Sequence, residues 1–353
     1  MTKRFIKTEK IFEEAQKCGV FPGGILSIGN STEELYRNCI GYKSLYPEKD
    51  FVTEETLFDM ASLTKIMSTT MVALRFIEEG LMTLGDTLEL YFTNVPEDKK
   101  QITIHNLMTH TAGLSAVMPI YSTASSPEGA ADSILKHPLE YVPGEKVVYS
   151  CLGYILLGKI LEIIGSQDLA GLSSKYVFEP LNMKSTGYNP KSVNIASTEF
   201  LKDKNLYLKG VVHDENARYL GGISGNAGVF SNIKDMNTFA QMLSNEGGIK
   251  EKSFIGKNTF RMSIHNYTRE LEEQRGLGFS LKTMKSINHP SGDLFSEGSF
   301  GHTGFTGTSL WVDKETGMYV ILLTNRVHPT RDNIDIIRFR RLLHNCIITE
   351  YLS

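Results

Sequence analysis

The chain of 353 residues contains few cysteines, a small net charge and no long apolar run. Its four cysteines lack Cys-x-x-Cys spacing, which argues against a structural disulfide set and predicts reduced thiols. The nine histidines are dispersed and no His-Glu-x-x-His motif occurs, so we expect no metal site. Because no signal-peptide-like or bilayer-length apolar stretch is present, we expect a cytoplasmic protein without a membrane span.

The charge balance limits the partners that this protein could have. Lys and Arg total 37 against 40 Asp and Glu, and the resulting net charge of −3 argues against a nucleic-acid partner. The chain is 41% hydrophobic and 22% charged, which is typical of a globular protein with a sizeable core. Its length predicts one large domain or two interleaved domains and leaves the oligomeric state open.

Strand signals are concentrated at the two ends of the chain and helix signals in the middle. Apolar runs and hairpin turns predict strands over residues 23–29, 35–40, 309–312 and 318–323, and three- and four-residue apolar spacing predicts a helix over 332–351. Helices are expected at 63–77, 103–108, after Pro127, at 152–164 and at 233–243. We therefore predict an α+β sandwich: an antiparallel sheet domain from residues 1–60 and 250–353, flanked by N- and C-terminal helices, with an inserted mainly helical domain at 61–249. The crevice between the two domains is the expected site.

The pattern Ser-x-x-Lys can pair a nucleophile with a proton acceptor one helical turn away. It occurs at Ser62 with Lys65, at Ser133 with Lys136, and at Ser231 with Lys234. Ser62 follows an extended apolar segment and opens the long apolar helix, so that Lys65 is expected to be buried with a lowered pKa. The other two serines precede more polar segments and are interpreted as helix caps or surface positions.

Two further elements could complete a site. Tyr149, in Tyr149-Ser150-Cys151, could carry protons between a nucleophile and a leaving group, although a tyrosine is more commonly a packing residue. Tyr36-Arg37-Asn38 also fits Tyr-x-Asn, but we interpret it as part of an early strand. The glycine-rich segment from Gly301 to Phe305 could bring a backbone N–H close to a ligand, or could simply be a turn.

Together and in this order, the three elements resemble the serine β-lactamase and penicillin-binding protein superfamily, particularly the branch of class C β-lactamases, esterases and DD-peptidases. The superfamily pattern is Ser-x-x-Lys, then Tyr-x-Asn, then Lys-Thr-Gly. The resemblance extends over about residues 21–327 and includes the stretches 103–114 and 221–228. It implies a β-lactamase/transpeptidase-like fold, acyl-enzyme chemistry and no cofactor.

The resemblance also implies residue roles. Ser62 would be the acylated nucleophile, Lys65 and Tyr149 would move protons, and the backbone N–H groups of Ser62 and Phe305 would form the oxyanion hole. The substrate would contact Cys151 and the segment His302, Thr303, Gly304 and Phe305. A Ser-His-Asp triad through His213 and Asp214 is the alternative, but the chain has no Gly-x-Ser-x-Gly turn, so these two residues are expected to be structural or to line the cleft.

Two positions depart from the superfamily pattern. Cys151 replaces the usual Asn, and a thiol is a poor substitute for an amide in hydrogen bonding. His302 replaces the usual Lys, and a histidine is mostly neutral at pH 7. Both changes weaken the case for β-lactam hydrolysis.

The expected function is a serine hydrolase that acts on small esters or D-amino-acid amides, with weak or no β-lactamase activity. One alternative is a non-catalytic or slowly acylating sensor of cell-wall fragments or β-lactams. Another is a structural or self-assembling relative that keeps the fold without the chemistry.

Overall fold

A computed structural model describes residues 5–249 and 251–353 of the chain. Residues 1–4 and 250, which belong to the predicted sheet domain, lie outside the described residues. The helices are α1 Ile6–Lys17, α2 Thr70–Glu78, α3 Ile104–Thr109, α4 Ile120–Thr123, α5 Ala130–Lys136, α6 Cys151–Gly165, α7 Leu169–Ser173, α8 Glu215–Tyr219, α9 Ile233–Ser244, α10 Lys257–Ser263 and α11 Ile336–Leu352. The strands are β1 Gly23–Gly29, β2 Glu34–Ser44, β3 Asp50–Phe51, β4 Phe58–Asp59, β5 Gly187–Tyr188, β6 Phe200–Leu201, β7 Leu206–Tyr207, β8 Val229–Ser231, β9 Gly248–Ile249, β10 Lys252–Ser253, β11 Ser280–Leu281, β12 Phe300–Thr303, β13 Ser309–Val312 and β14 Tyr319–Thr324.

The main sheet is built from both ends of the chain, as the sequence predicts. Its seven strands run in the order β11-β12-β13-β14-β1-β2-β3, and the paired neighbours are antiparallel. The first strand of the chain, β1, pairs with β14 on one side and β2 on the other, so the two termini meet in the middle of the sheet. β1 and β14 are buried along their whole length, which explains why both read as continuous apolar runs.

The two faces of this sheet are covered by different parts of the chain. On the outer face, Leu26 and Ile28 pack with the terminal helices α1 and α11. Phe12 of α1 and Phe21, which follows that helix, are in ring contact in the same cluster. Ile25 points the other way, into the larger core formed with the middle of the chain, because neighbouring strand residues alternate between faces. The sheet with a terminal helix layer on one side and helices on the other confirms the predicted α+β architecture.

The middle of the chain supplies most of the helices and a small second sheet. α6 and α2 contribute many of their residues to the larger core, and each is partly exposed towards its carboxyl-terminal end. A three-stranded sheet, in the order β4-β8-β5, lies where the chain enters the segment containing Ser62. The exact division of the chain at residues 60–61 and 249–250 stays a prediction.

The predicted helix over 63–77 is helical throughout, but its first part is not α-helical. A 3₁₀ turn, Ala61–Leu63, is followed by a π-helical turn, Lys65–Thr69, and the regular helix α2 begins only at Thr70. Apolar periodicity does not distinguish these helical forms, since each buries the same kind of side chain. π turns in helices occur frequently at functional sites.

Candidate active site

Ser62 lies in a constrained turn directly after strand β4. Ala61, the residue before it, has a positive φ of 46°, a conformation that costs a non-glycine residue about 1–3 kcal/mol. The buried Asp59 carboxylate holds the turn by accepting hydrogen bonds from the Ala61 N–H at 2.8 Å and the His213 N–H at 2.7 Å. Burial raises the pKa of Asp59 to about 6, although these two N–H groups oppose the change. The turn therefore presents Ser62 in a fixed position.

Lys65 is fully buried beneath Ser62 and makes three contacts through its Nζ atom. It donates to Ser62 Oγ at 3.1 Å and to the Asn226 carbonyl at 3.0 Å, and it lies 3.6 Å from Cys151 Sγ. Burial alone would lower the pKa of Lys65, but the acidic groups of Cys151 and Tyr149 outweigh it and raise this pKa above its ordinary value. The prediction of a lowered lysine pKa is wrong, because polar acidic groups surround the amine. The raised pKa favours the ammonium form of the side chain.

Tyr149 stands over this lysine. The Lys65 Nζ atom is 4.9 Å from the centre of the Tyr149 ring, and the Arg275 guanidinium is 5.4 Å from it. The phenol oxygen is buried and has no hydrogen-bond partner within the described parts of the chain. Burial raises the pKa of Tyr149, and Lys65 acts in the opposite direction by favouring the phenolate. Tyr149 is therefore a neutral phenol in the resting protein, and Lys65 lies where it can stabilise the phenolate.

His302 is buried on the other side of Tyr149, with 5.7 Å between the two ring centres. Its Nδ1 atom lies 2.8 Å from the Thr303 carbonyl, which can only accept, so Nδ1 carries the proton and Nε2 has a free lone pair. Burial, together with Lys65 and Arg275, holds the pKa of His302 well below its usual range. The imidazole is therefore neutral, as expected from the sequence.

The turn between β12 and β13 is fixed against the Ser62 turn. Thr306 Oγ1 donates to the Asp59 carbonyl at 2.7 Å, and Thr308 Oγ1 donates to the Met60 carbonyl at 3.2 Å. A Cβ atom at Gly304 would lie 2.7 Å from the Met60 oxygen, so this approach requires glycine. No backbone acceptor is found for the N–H of Ser62 or Phe305 across residues 5–249 and 251–353.

These groups line one cavity of about 710 Å³. Its wall includes the predicted residues Ser62, Tyr149, Cys151, His302, Thr303, Gly304 and Phe305, as well as His213 and Asp214, whose cleft-lining role is thereby confirmed. Lys65 lies behind Ser62 and does not line the cavity. Phe305 and Ile337 are about half exposed at its margin, at 50% and 55%, and provide an apolar surface beside the polar groups.

Comparison with known proteins agrees with this geometry. The family model described as Beta-lactamase matches residues 8–345, which is nearly the whole chain. The chain belongs to the β-lactamase family. Within the serine β-lactamase and penicillin-binding protein superfamily, this family protein keeps Ser62, Lys65 and Tyr149 but carries Cys151 and His302 at the two positions where its sequence departs from the pattern.

Three relatives of this β-lactamase-family protein illustrate the range of names in the superfamily. It is 29% identical over 364 residues to an N-acetylmuramyl-L-alanine amidase of Bacillus subtilis (strain 168), covering 93% of this chain and 82% of the relative. It is 32% identical over 310 residues to a Salmonella typhi protein whose provisional name is D-alanyl-D-alanine carboxypeptidase, covering 78% and 71%. The structure of EstCE1, a hydrolase with promiscuous acyltransferase activity, matches with a TM-score of 0.77 at 21% identity and covers 97% of both chains. The fold is β-lactamase/transpeptidase-like.

Several residues at the site were not predicted from the sequence. The backbone carbonyl of Asn226 accepts a hydrogen bond from Lys65 Nζ. A backbone role of this kind leaves no side-chain signal, although Asn226 lies in the glycine-rich stretch 221–228 that is part of the resemblance. Arg275 reaches the Tyr149 ring from an isolated antiparallel β-bridge with Ser280. The ring centres of His110 and Tyr149 are 4.6 Å apart. His110 belongs to the stretch 103–114 that carries the family resemblance, but that stretch does not indicate this contact. Each of these contacts depends on the tertiary fold.

The other two Ser-x-x-Lys segments have a different placement from Ser62. Ser133 lies inside α5 rather than at its cap, half-buried. Ser231 is neither a cap nor a surface residue, since it is fully buried at the end of β8, and the cap of the next helix is Asn232. The prediction is wrong for Ser231, because the strand ends one residue before the helix cap, whereas the Ser133 hydroxyl lies at the surface as predicted.

In the part of the chain that the structure describes, no cluster of three or more His, Cys, Asp or Glu side chains could hold a metal ion. Within the same residues, no helix combines the length and the apolar character needed to cross a bilayer.

Proposed function

We propose that this β-lactamase-family protein is a serine hydrolase that forms an acyl-enzyme on Ser62 and acts on small esters or D-amino-acid amides. The observation that carries the proposal is the 3.1 Å contact between Ser62 Oγ and the buried Lys65 Nζ at the wall of a large cavity. The relatives named as an amidase, a carboxypeptidase and a hydrolase with acyltransferase activity support the same reaction class, which is acyl transfer from an ester or amide.

The proton path in this proposal follows from the charges of the site. Because Lys65 is an ammonium, it holds Ser62 Oγ and stabilises the phenolate of Tyr149 rather than acting as the resting base. The phenolate then takes the Ser62 proton while Oγ attacks the substrate carbonyl. The resulting phenol returns that proton to the departing alkoxide or amine. Water then attacks the acyl group on Ser62, with the Tyr149 phenolate taking the proton of the water, and the acyl product is released.

The oxyanion in this reaction requires donors that are free in the resting protein. The backbone N–H groups of Ser62 and Phe305 are the proposed donors, since neither finds a backbone acceptor among the residues that the structure describes. Gly304 and the two threonine hydrogen bonds fix the second donor relative to the first. Preorganised donors of this kind contribute about 2.7–4 kcal/mol each to transition-state stabilisation.

Four side chains of the cavity lining bear on the choice of substrate. His302 is neutral, so the segment that carries a lysine in the superfamily pattern offers no cation to a substrate carboxylate. Cys151 replaces the amide that would contact a substrate amide. Phe305 and Ile337 offer exposed apolar surface at the cavity margin instead. We therefore propose weak or no β-lactamase activity and a preference for esters over β-lactams.

A fluorophosphonate probe tests the nucleophile directly. We expect mass spectrometry to find one adduct, on Ser62, and none in the Ser62→Ala variant. The matched control is Ser231→Ala, which removes the other buried serine of the same motif and should label like wild type. An unlabelled Ser62 in folded protein would refute the proposal.

A substrate panel separates the members of the reaction class. Steady-state rates are compared for p-nitrophenyl acetate and butyrate, nitrocefin and a D-Ala-D-Ala peptide. The ester should be hydrolysed fastest and nitrocefin slowest. Slow acylation by β-lactams without turnover of any substrate would instead support the sensor.

A further inference from the structure

Cys151 occupies an exceptional position among the four cysteines of the chain. It is the first residue of α6, a 15-residue helix whose cap is Ser150, with the Ser150 hydroxyl accepting from the Leu152 N–H at 3.2 Å. Its side chain lines the cavity beside Ser62 and is half-buried. The Sγ atom lies 3.6 Å from the Lys65 ammonium. Cys151 is therefore both reachable by a small molecule and in contact with a buried cation.

Two features of positive character lie beside this sulfur. The first is the Lys65 ammonium, and the second is the amino-terminal end of α6, where the helix dipole and free N–H groups favour an anion. The other cysteines differ. Burial raises the pKa of Cys39 to about 11 and also raises that of Cys346. Cys18 is exposed but follows the carboxyl-terminal end of α1, where the dipole disfavours an anion.

The same cavity contains unpartnered polar atoms that could hold a small hydrogen-bonding molecule. His302 is 4% exposed, lines the cavity, and its Nε2 lone pair has no partner among the described residues. The Tyr149 hydroxyl, two residues from Cys151, is a buried donor that likewise lacks a partner there. An acceptor and a donor in one wall match the O–H groups and the oxygen lone pairs of a hydroperoxide.

We propose that Cys151 is a modification site at which hydrogen peroxide, or a small organic hydroperoxide, oxidises the thiolate to a sulfenic acid. The sulfur attacks one peroxide oxygen, the S–O bond forms and the O–O bond breaks. Sulfur is oxidised by two electrons and the peroxide is reduced. The leaving hydroxide or alkoxide takes a proton from the Lys65 ammonium. Solvent then returns a proton to the Lys65 amine. A thiol reductant reverses the change: it displaces water to give a mixed disulfide, and a second thiol then frees Cys151.

The modification should switch the site off, a consequence that rests on the proposed function. The added oxygen is a stronger hydrogen-bond acceptor than the thiol and lies next to Lys65. It therefore competes with Ser62 Oγ for the ammonium and occupies space in the cavity where the substrate would bind. Ser62 should then react more slowly until the sulfenic acid is reduced.

Trapping with dimedone tests the modification itself. The full chain is treated with hydrogen peroxide and dimedone at neutral pH, and the tryptic peptide 147–159, which contains Cys151, is followed by mass spectrometry. The adduct at Cys151 should form at least about tenfold faster than at Cys18, Cys39 or Cys346. Lys65→Met should slow it about tenfold, because one charge-assisted contact is lost. Lys159→Met, which removes an exposed lysine of the same helix and is followed on the tryptic peptide 147–175, should not slow it. Equal or faster trapping at Cys18 would overturn the proposal.

Fluorophosphonate labelling of Ser62 tests the switch. Peroxide should lower the labelling rate at least about fivefold, and dithiothreitol should restore it. In Cys151→Asn, peroxide should leave the labelling rate of that variant unchanged, whereas Cys39→Ser should stay sensitive. Labelling that is insensitive to peroxide, with Cys151 fully trapped, would overturn the switch. Absence of labelling in the reduced protein, with Cys151 trapped as expected, would contradict the proposed function alone.

Discussion

The segment from Ser62 to Lys65 and the segment from Ser231 to Lys234 share the pattern Ser-x-x-Lys, and each follows one strand of the same antiparallel pair. β4, which leads to Ser62, pairs with β8, which ends at Ser231, so the two segments leave this pair at opposite ends. Lys65 is fully buried and donates to its own serine, whereas Lys234 is half exposed and pairs with Glu55 at 2.9 Å. The same motif therefore places a buried lysine against its serine in one segment and an exposed lysine away from its serine in the other.

The two serines differ in the same way. Ser62 Oγ accepts from Lys65 and lines the cavity. Ser231 Oγ is fully buried and lies 2.7 Å from Thr186 Oγ1, with which it shares a hydrogen bond in the small sheet. One hydroxyl is thus available to a ligand and the other is used within the protein. The comparison predicts opposite consequences for equivalent substitutions.

The largest expected effect is on turnover of the preferred ester. Ser62→Ala should lower kcat about 10³-fold or more, because the nucleophile is lost. Ser231→Ala should leave kcat within about twofold and instead lower the free energy of unfolding by about 1 kcal/mol, the usual contribution of a buried hydrogen bond. Steady-state kinetics and urea unfolding measure both. Near-normal kcat in Ser62→Ala would break the comparison.

The next largest difference in kcat is expected between variants of the two lysines. Lys65→Met should lower kcat about 10²–10⁴-fold, since the cation that holds Ser62 Oγ and favours the Tyr149 phenolate is removed. Lys234→Met removes only a surface ion pair and should change neither kcat nor, beyond about 1 kcal/mol, the stability. If both variants lost activity equally, the burial of Lys65 would not be what distinguishes the two segments. Circular dichroism checks that each variant is folded.

The third prediction concerns Tyr149, the phenol that lies beside Ser62 and Lys65 in the cavity. Tyr149→Phe should lower kcat/KM about 10²-fold. In wild type, the pKa of Tyr149 is raised and the phenolate is the active form, so kcat/KM should rise as the pH increases above 7. This alkaline rise should be absent in the variant. A flat wild-type profile between pH 7 and 10 would contradict the assignment of Tyr149 as the base.

The smallest expected effect tests the neutral charge of His302. His302→Lys restores the cation of the superfamily pattern and should raise kcat/KM for a D-Ala-D-Ala peptide about fivefold, the worth of one partly screened charge-assisted hydrogen bond. Hydrolysis of a neutral ester should not gain. The control His302→Gln keeps a neutral side chain and should not improve the peptide rate. A matching gain with the ester would show that the substituted charge acts on something other than the substrate carboxylate.

Much of the fold was predictable because its signals are local. The buried strands β1 and β14, the terminal helix α11 and the helices α6 and α9 follow from apolar runs and periodicity that neighbouring residues already contain. The start of the helix after Ser62 was not predictable, since a 3₁₀ turn and a π turn bury the same apolar side chains as an α-helix. The ends of elements depend on single hydrogen bonds that periodicity does not encode.

The sequence by itself determined the order of Ser62, Lys65, Tyr149 and the glycine-rich strand, and with it the family. The sequence also predicted that Lys65 is buried, but only the tertiary structure decided that the pKa of this lysine is raised rather than lowered. The physical reason is that a pKa depends on groups brought together in space. Tyr149 and Cys151 lie more than eighty positions from Lys65 in the chain, and no local pattern reports their distance from its Nζ atom.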